Sequence, residues 1–265
     1  MNLVTCEFLG RLGNQLFQVA AMINYSKQHN VPWFIPPNYH HRQIYKYWKF
    51  PVYKGNIKKL PVFDRATDEG WSYCDLPFHP NGVKLRGFWQ SYKYLDPVKE
   101  EVLKAWNFKV YDELKDFVSI HIRRTDYATN PDYFPPVTMD YVKEAIHRVE
   151  DLTNERHEKF IVFSDDVEWC RQEFAKALPK RTFIFSEGKN EYEELSKMSS
   201  CGHNIIANST FSYVAAYANR NPEKIVITPS ADEWFGVKSK LDTKDLLPPT
   251  WEQVKFRNQI HNIPL

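Results

Sequence analysis

Cysteine is scarce. Four are present in 265 residues (Cys6, Cys74, Cys170 and Cys201), and no two form a C-x-x-C pair. That spacing excludes a zinc ribbon and a thioredoxin-like motif, and free thiols in a reducing compartment are expected. Long apolar runs are missing too. No window approaches the ~18 consecutive apolar residues of a transmembrane helix. The opening MNLVTCEFLGRLGNQ lacks the basic and apolar regions of a signal peptide. A cytoplasmic protein without a transmembrane segment is expected. Neither charge dominates: 35 Lys and Arg face 33 Asp and Glu, net +2. Nucleic acid and membrane surfaces are therefore not expected as partners, and any polyanion must be met in a local pocket. There is no Walker A sequence, which argues against a P-loop NTPase. There is no D-x-D, so a sugar-transfer enzyme relying on that metal clamp is disfavoured. No His, Asp or Glu group has metal-ligand spacing; His40-His41 reads as a surface pair, and no metal is expected.

What is present is an alternating α/β pattern. Length alone suggests two small domains or one large one. Leu3 to Leu9 reads as a strand, Asn14 to His29 as a helix capped by Asn14, and Val31 to Ile35 as a second strand. That is a βαβ start. Residues 37 to 80, rich in Tyr, Trp, Lys and Pro, read as irregular. Residues 82 to 90 read as a strand and Leu95 to Trp106 as a helix. Beyond residue 116 strands at 117–122, 159–163, 182–185, 204–207 and 224–228 alternate with helices, as in a doubly wound parallel sheet. A Pro-bearing loop is expected at 123–137 and a short amphipathic helix at 251–258. The change in regularity near 110 divides the chain into expected domains 1–110 and 111–265.

Ligands of open α/β sheets bind beyond the carboxyl ends of the strands. Four such ends are polar here: Gly-Arg-Leu-Gly-Asn-Gln (10–15), Arg123-Arg124-Thr125-Asp126 with His121 just inside, Ser164-Asp165-Asp166, and Asn208-Ser209-Thr210. Adjacent arginines can fork onto phosphate oxygens, or simply pair with Asp126. Asn208-Ser209-Thr210 opens a helix, whose free N–H groups suit phosphate or an ordinary N-cap. Gly10 and Gly13 allow close backbone approach or a plain left-handed turn. Asp165 and Asp166 can accept from a base or ribose, or cap the next helix. Together these ends point to a nucleotide-linked substrate held by its phosphates.

Five segments, GRLGNQLFQVAA (10–21), GFWQSYKYL (87–95), HIRRTDY (121–127), VFSDD (162–166) and NSTFSYVAAYAN (208–219), resemble the blocks of α-1,2-fucosyltransferases, glycosyltransferase family 11, in order and spacing. The resemblance runs from about residue 3 to 235. It implies a GT-B type α/β fold: two Rossmann-like domains with a cleft between them, the C-terminal one binding GDP-β-L-fucose and the N-terminal one shaping the acceptor site. It implies an inverting, metal-independent transfer that makes an α-1,2-linked fucoside on a terminal galactose of a glycan, with no cofactor besides the donor. Arg123 and Arg124 would neutralise the pyrophosphate as charge develops on the leaving GDP. Ser209, Thr210 and Phe211, after Asn208, would present backbone donors to the same phosphates, and His121 and Asp166 would contact the guanosine. Arg11, Asn14 and Gln15 would lie near phosphate and fucose from across the cleft. For the base that takes the acceptor's proton, Asp126, Asp165 and Glu7 are alternatives, as is a dissociative transition state needing no strong base. Phe88-Trp89 and Tyr213-Val214 depart from the family's usual aromatic pairs, which touches acceptor preference. Another fucosyl linkage, another GDP-deoxyhexose, or a catalytically silent sugar-binding protein on the same scaffold are the competing readings.

Overall fold

In the computed structural model, residues 2–38, 42–66 and 71–256 are described; His40-His41 lies outside them. Two compact α/β units emerge, one of residues 1–107 with 241–248, the other of 108–240 with 249–265. The division near 107 lies close to the expected one. The return of 241–248 to the first unit corrects the single C-terminal domain read from sequence.

The first unit has a three-stranded parallel sheet ordered β1 (Val4–Glu7), β3 (Val83–Gly87), β2 (Val62–Arg65). Helix α1 (Leu12–His29) packs on β1 and buries Leu16, Phe17, Ala20 and Ile23, as the spacing predicts. It starts earlier than read. Arg11 holds the N-cap position, not Asn14, because Gly10 turns the chain at φ +66° and the Leu12 N–H is taken by Gln43 Oε1 at 2.9 Å. Val31–Ile35 does not form a full strand. It makes isolated parallel bridges, Val4 to Trp33 and Ile35 to Val52, since Pro32, Pro36 and Pro37 have no N–H to extend a ladder. Strand β2 falls in the stretch read as irregular. It is a four-residue edge strand behind Pro61, too short to show a period.

The helix read at 95–106 begins sooner. Ser91 caps α3 (Tyr92–Leu95), a 3-10 turn with Pro97 follows, and α4 (Lys99–Trp106) ends on left-handed Asn107. One short helix between, α2 (Ile44–Tyr47), lies beside α1.

The second unit is the doubly wound sheet the sequence predicts. Its strands are β4 (Val118–Ile122), β5 (Phe160–Ser164), β6 (Phe183–Phe185), β7 (His203–Ile205), β8 (Val226–Pro229) and β9 (Glu252–Val254). They run in the order β6-β5-β4-β7-β8-β9, all parallel. Every residue of β4 is buried, as a strand covered on both faces must be. Helix α6 (Met139–Thr153), capped by Thr138, lays Tyr141, Val142, Ala145, Ile146 and Val149 into the core. The other helices are α5 (Thr125–Thr129), α7 (Val167–Ala177), α8 (Glu191–Ser199) and α9 (Thr210–Ala218). Two readings are corrected. The loop after β4 contains the single-turn α5. The region read as a helix at 251–258 carries β9, whose Gln253 Oε1 accepts from the Ala231 N–H; residues past 256 lie outside the described ones. The four cysteines are free. Among the described residues no helix is long and apolar enough to cross a membrane.

Candidate active site

The order reverses between β4 and β7, and a doubly wound sheet opens its ligand crevice at such a switch point. The residues leaving β4 are Arg123 and Arg124; those leaving β7 lead to Asn208 and the start of α9.

Arg123 is clamped from two sides. Its Nε donates to Asp126 Oδ1 at 2.8 Å, and its Nη1 lies 3.0 Å from Asp165 Oδ2. Its guanidinium sits over the Tyr127 ring, 6.0 Å from the centroid. Asp165, at the end of β5, is the hub of the turn. It accepts from the backbone N–H groups of Arg124 (2.8 Å) and Thr125 (3.2 Å) and from the Thr125 hydroxyl. Burial raises the Asp165 carboxyl, but the Thr125 hydroxyl, the Arg124 N–H and the Arg123 charge outweigh it and hold it below the usual carboxylate range. The Arg124 guanidinium sits over Trp169, 3.8 Å from the ring centroid, with Nε 3.6 Å from Asp166. Asp166 also caps α7, accepting from the Trp169 N–H.

His121 is buried inside β4, its ring 5.8 Å from that of Phe211. Burial lowers it from the ordinary value to about 4, against a smaller opposing pull from Asp165, so the imidazole is neutral at pH 7. Its Nδ1 is buried with no hydrogen-bond partner among the described residues. The Arg block and the α9 entrance are tied together: Tyr127 Oη donates to the Asn208 carbonyl at 2.9 Å. Asn208 itself is a pin. Its side-chain amide donates to the carbonyls of Pro135 and Trp234, both at 2.9 Å. Ser209 caps α9 and accepts from the Phe211 N–H at 3.4 Å. Thr210 and Phe211, half-buried, form the first turn, which contains no acidic residue.

The remaining site candidates belong to the first unit. Arg11 is exposed at the start of α1. Asn14 Oδ1 accepts from Gln90 at 2.8 Å. Gln15 is buried, its amide donating to the Gly10 carbonyl and its oxygen accepting from the Ile44 N–H. Both ends of Gln15 are thus used in holding the turn. Glu7 spans Lys84 and Arg86 at 3.8 and 3.5 Å.

Sequence reasoning assigned no role to Tyr127, Thr125, Trp169 or Gln18. Thr125, Tyr127 and Gln18 lie in quoted blocks. Gln18 is fully buried and bonds Leu9 through both backbone groups and the Gly87 carbonyl. A buried Gln on an apolar helix face was the available signal.

The chain is similar to known proteins. Over 178 residues (63% of this chain, 57% of the relative) the chain is 39% identical to "O-antigen biosynthesis glycosyltransferase WbnK" of Escherichia coli, so the match spans little over half of that relative's length. Over 295 residues (96% of this chain, all of the relative) it is 28% identical to "Alpha-1,2-colitosyltransferase" of Escherichia coli. It is 22% identical over 291 residues to "Galactoside alpha-(1,2)-fucosyltransferase 2" of Oryctolagus cuniculus, covering 89% of this chain and 77% of that one. The sequence profile of Glycosyl transferase family 11 matches residues 62–251, from β2 through the whole switch-point site. With that match across most of its length, the chain belongs to glycosyl transferase family 11 and is a glycosyltransferase.

Proposed function

We propose that the chain transfers L-fucose from GDP-β-L-fucose to the 2-OH of a terminal galactose in a glycan, inverting C1 to give an α-1,2 linkage. The observation that carries this reading is the Arg123–Arg124 turn, braced by Asp126 and Asp165 and joined through Tyr127 to the start of α9. In the reaction the acceptor oxygen bonds to C1 as the C1–O bond to the β-phosphate breaks. The electron pair goes to GDP, and the hydroxyl, acidified as it bonds to C1 in a dissociative transition state, gives its proton to water. Charge therefore grows on the β-phosphate. Forked guanidinium groups and the positive N-terminal end of the α9 dipole are suited to receive it. These groups need no metal and no cofactor beside them. Asp126 is engaged by Arg123, so we read it as the residue that orients Arg123 rather than as the base. The lowered carboxyl of Asp165 fits the same positioning role. His121, neutral and buried, is assigned to the guanosine side, together with Asp166.

The fucosyl reading draws on the α-(1,2)-fucosyltransferase relative. A second reading, transfer of colitose or another GDP-deoxyhexose in the same linkage, is favoured by the match to the whole length of the α-1,2-colitosyltransferase. The test offers GDP-fucose and GDP-colitose separately with a β-galactoside in EDTA, and reads the product's linkage and anomeric configuration by NMR. A 2-linked α-fucoside, lost in Arg123→Ala, supports the first reading. Product from GDP-colitose alone selects the second. Donor binding without product from either donor would return the chain to a silent binding protein.

A further inference from the structure

The first unit contains a cavity of about 610 Å3 that the switch-point site does not use. This lies within the range of ligand pockets, roughly 300–1,000 Å3. It opens over the face of the sheet from which Glu7 and Lys84 project, on neighbouring strands. Its walls are apolar: Phe8, Pro36, Pro37 and Ile57, with Tyr45 set edge-on to Phe8 at 6.0 Å. Tyr45 is fixed there, its hydroxyl donating to the Pro36 carbonyl.

The charged lining is unbalanced. Arg42, Lys58 and Lys84 face the cavity with Glu7 as the carboxylate among its lining residues. Glu7 is itself shared between Lys84, at 3.8 Å, and Arg86, at 3.5 Å, and Arg86 has a closer partner in Asp64 at 2.8 Å. Arg42 is half-buried, and its Nε is a buried donor without a hydrogen-bond partner among the described residues. A buried N–H lacking an acceptor is costly, and an arriving anion that reaches it removes that cost while gaining a charge-assisted bond. Apolar walls with a cationic rim suit a ring whose C–H faces pack while a negative group points outward to the rim.

We infer that this cavity binds an acidic sugar residue, so that the acceptor is an anionic glycan. The inference rests on the glycosyltransferase reading for the word acceptor. The cavity's charge and shape stand apart from it.

The experiment uses the full chain and calorimetry at 0.05 M and 0.5 M NaCl with three probes: galactosyl-glucuronic acid, lactose, and galactose 6-phosphate. The uronate should bind at least tenfold more tightly than lactose at low salt. The advantage should shrink at high salt and vanish in Arg42→Gln. If the phosphate-bearing sugar alone shows the advantage, the site takes sugar phosphates and the anionic assignment holds. Equal binding of all three probes, or an unchanged advantage in a folded Arg42→Gln protein, overturns it. Should that variant fail to fold, Lys58→Gln at the exposed rim is expected to reduce the advantage severalfold, and no reduction there overturns it equally. GDP-fucose transfer to a neutral galactoside, followed in the same preparation, separates the two claims. Transfer without anion preference sinks only the cavity, and anion preference without transfer sinks only the proposed reaction.

Discussion

Arg123 is the residue on which donor binding should depend most. Arg123→Ala removes a charged donor worth about 1.5–3 kcal/mol per bond, so GDP affinity measured by calorimetry should fall about 10- to 100-fold. Arg123→Lys should recover little of it, because an ammonium cannot reach Asp126, Asp165 and a phosphate in one plane. Asp165→Asn keeps the size but loses the negative acceptor that the Thr125 hydroxyl and two N–H groups share. Melting should drop by the equivalent of about 1–3 kcal/mol, with GDP affinity falling alongside it. A drop in stability with unchanged GDP affinity would deny Asp165 its positioning role. His121 gives the pH dependence. Its folded value is about 4 against an ordinary value near 6.5. Below pH ~6.5 the unfolded chain takes a proton that the folded chain refuses, so stability falls as pH falls toward about 4, by a total of about 3 kcal/mol. Asp165, lowered in the fold, acts in the same direction but at more acid pH, below its ordinary value near 3.9. In His121→Asn the melting temperature should be flatter between pH 4 and 6.5 than in wild type.

At the scale of elements, backbone conformation does what side-chain periodicity cannot. Helices α1, α4 and α6 all end on an asparagine with positive φ, Asn30, Asn107 and Asn154. Asparagine tolerates the left-handed region, where its short amide finds local partners. Trp89, just past β3, has φ +57° while buried to 3% exposure, stacked on Phe63 and edge-on to Tyr94. For so bulky a residue that conformation costs about 1–3 kcal/mol, whereas deleting a buried Trp costs about 3–5 kcal/mol. Packing wins, so Trp89→Gly should destabilise the protein by about 2 kcal/mol despite relieving the backbone. Gly10 offers the opposite case. Its φ is +66°, and a Cβ there would collide with the Asn14 side chain. Gly10→Ala is expected to lower stability by about 1–2 kcal/mol, read from denaturant midpoints, and to break the Asn14–Gln90 bond that follows the turn.

At the scale of the molecule, the chain leaves the first unit at 107 and re-enters it for residues 241–248. Asp245 anchors that return. Its side chain is 11% exposed, Oδ1 lies 2.5 Å from Lys93 Nζ, and Oδ2 accepts from the Tyr73 N–H at 3.1 Å. Asp245→Ala leaves a cation and a backbone donor without their acceptor and should cost about 1–3 kcal/mol. A melt showing the loss only in residues of the second unit would refute this placement. The second unit was the legible one. Strands β4 and β5 are five residues each and mostly apolar, and three helices carry clear caps, so Thr138, Asp166 and Ser209 were legible in the chain. The first unit was not, because its second edge strand is four residues long and its prolines leave bridges rather than ladders.

The site divides in the same way. The parallel α/β architecture of the second unit and the family were legible in the chain alone. The sequence also marked the polar strand ends where Arg123, Arg124, Asp165 and Ser209 stand, because strand ends and caps are local properties of the chain. Which partners each residue holds there came from the folded arrangement. It made Asp165 the brace of the arginine turn and Asn208 and Gln15 structural ties, placed Trp169 beneath Arg124, and left Arg42 facing a cavity. These assignments depend on which distant residue supplies a hydrogen-bond partner. Asp165 meets Arg124 across 41 residues and Tyr127 meets Asn208 across 81, distances over which no local pattern carries information.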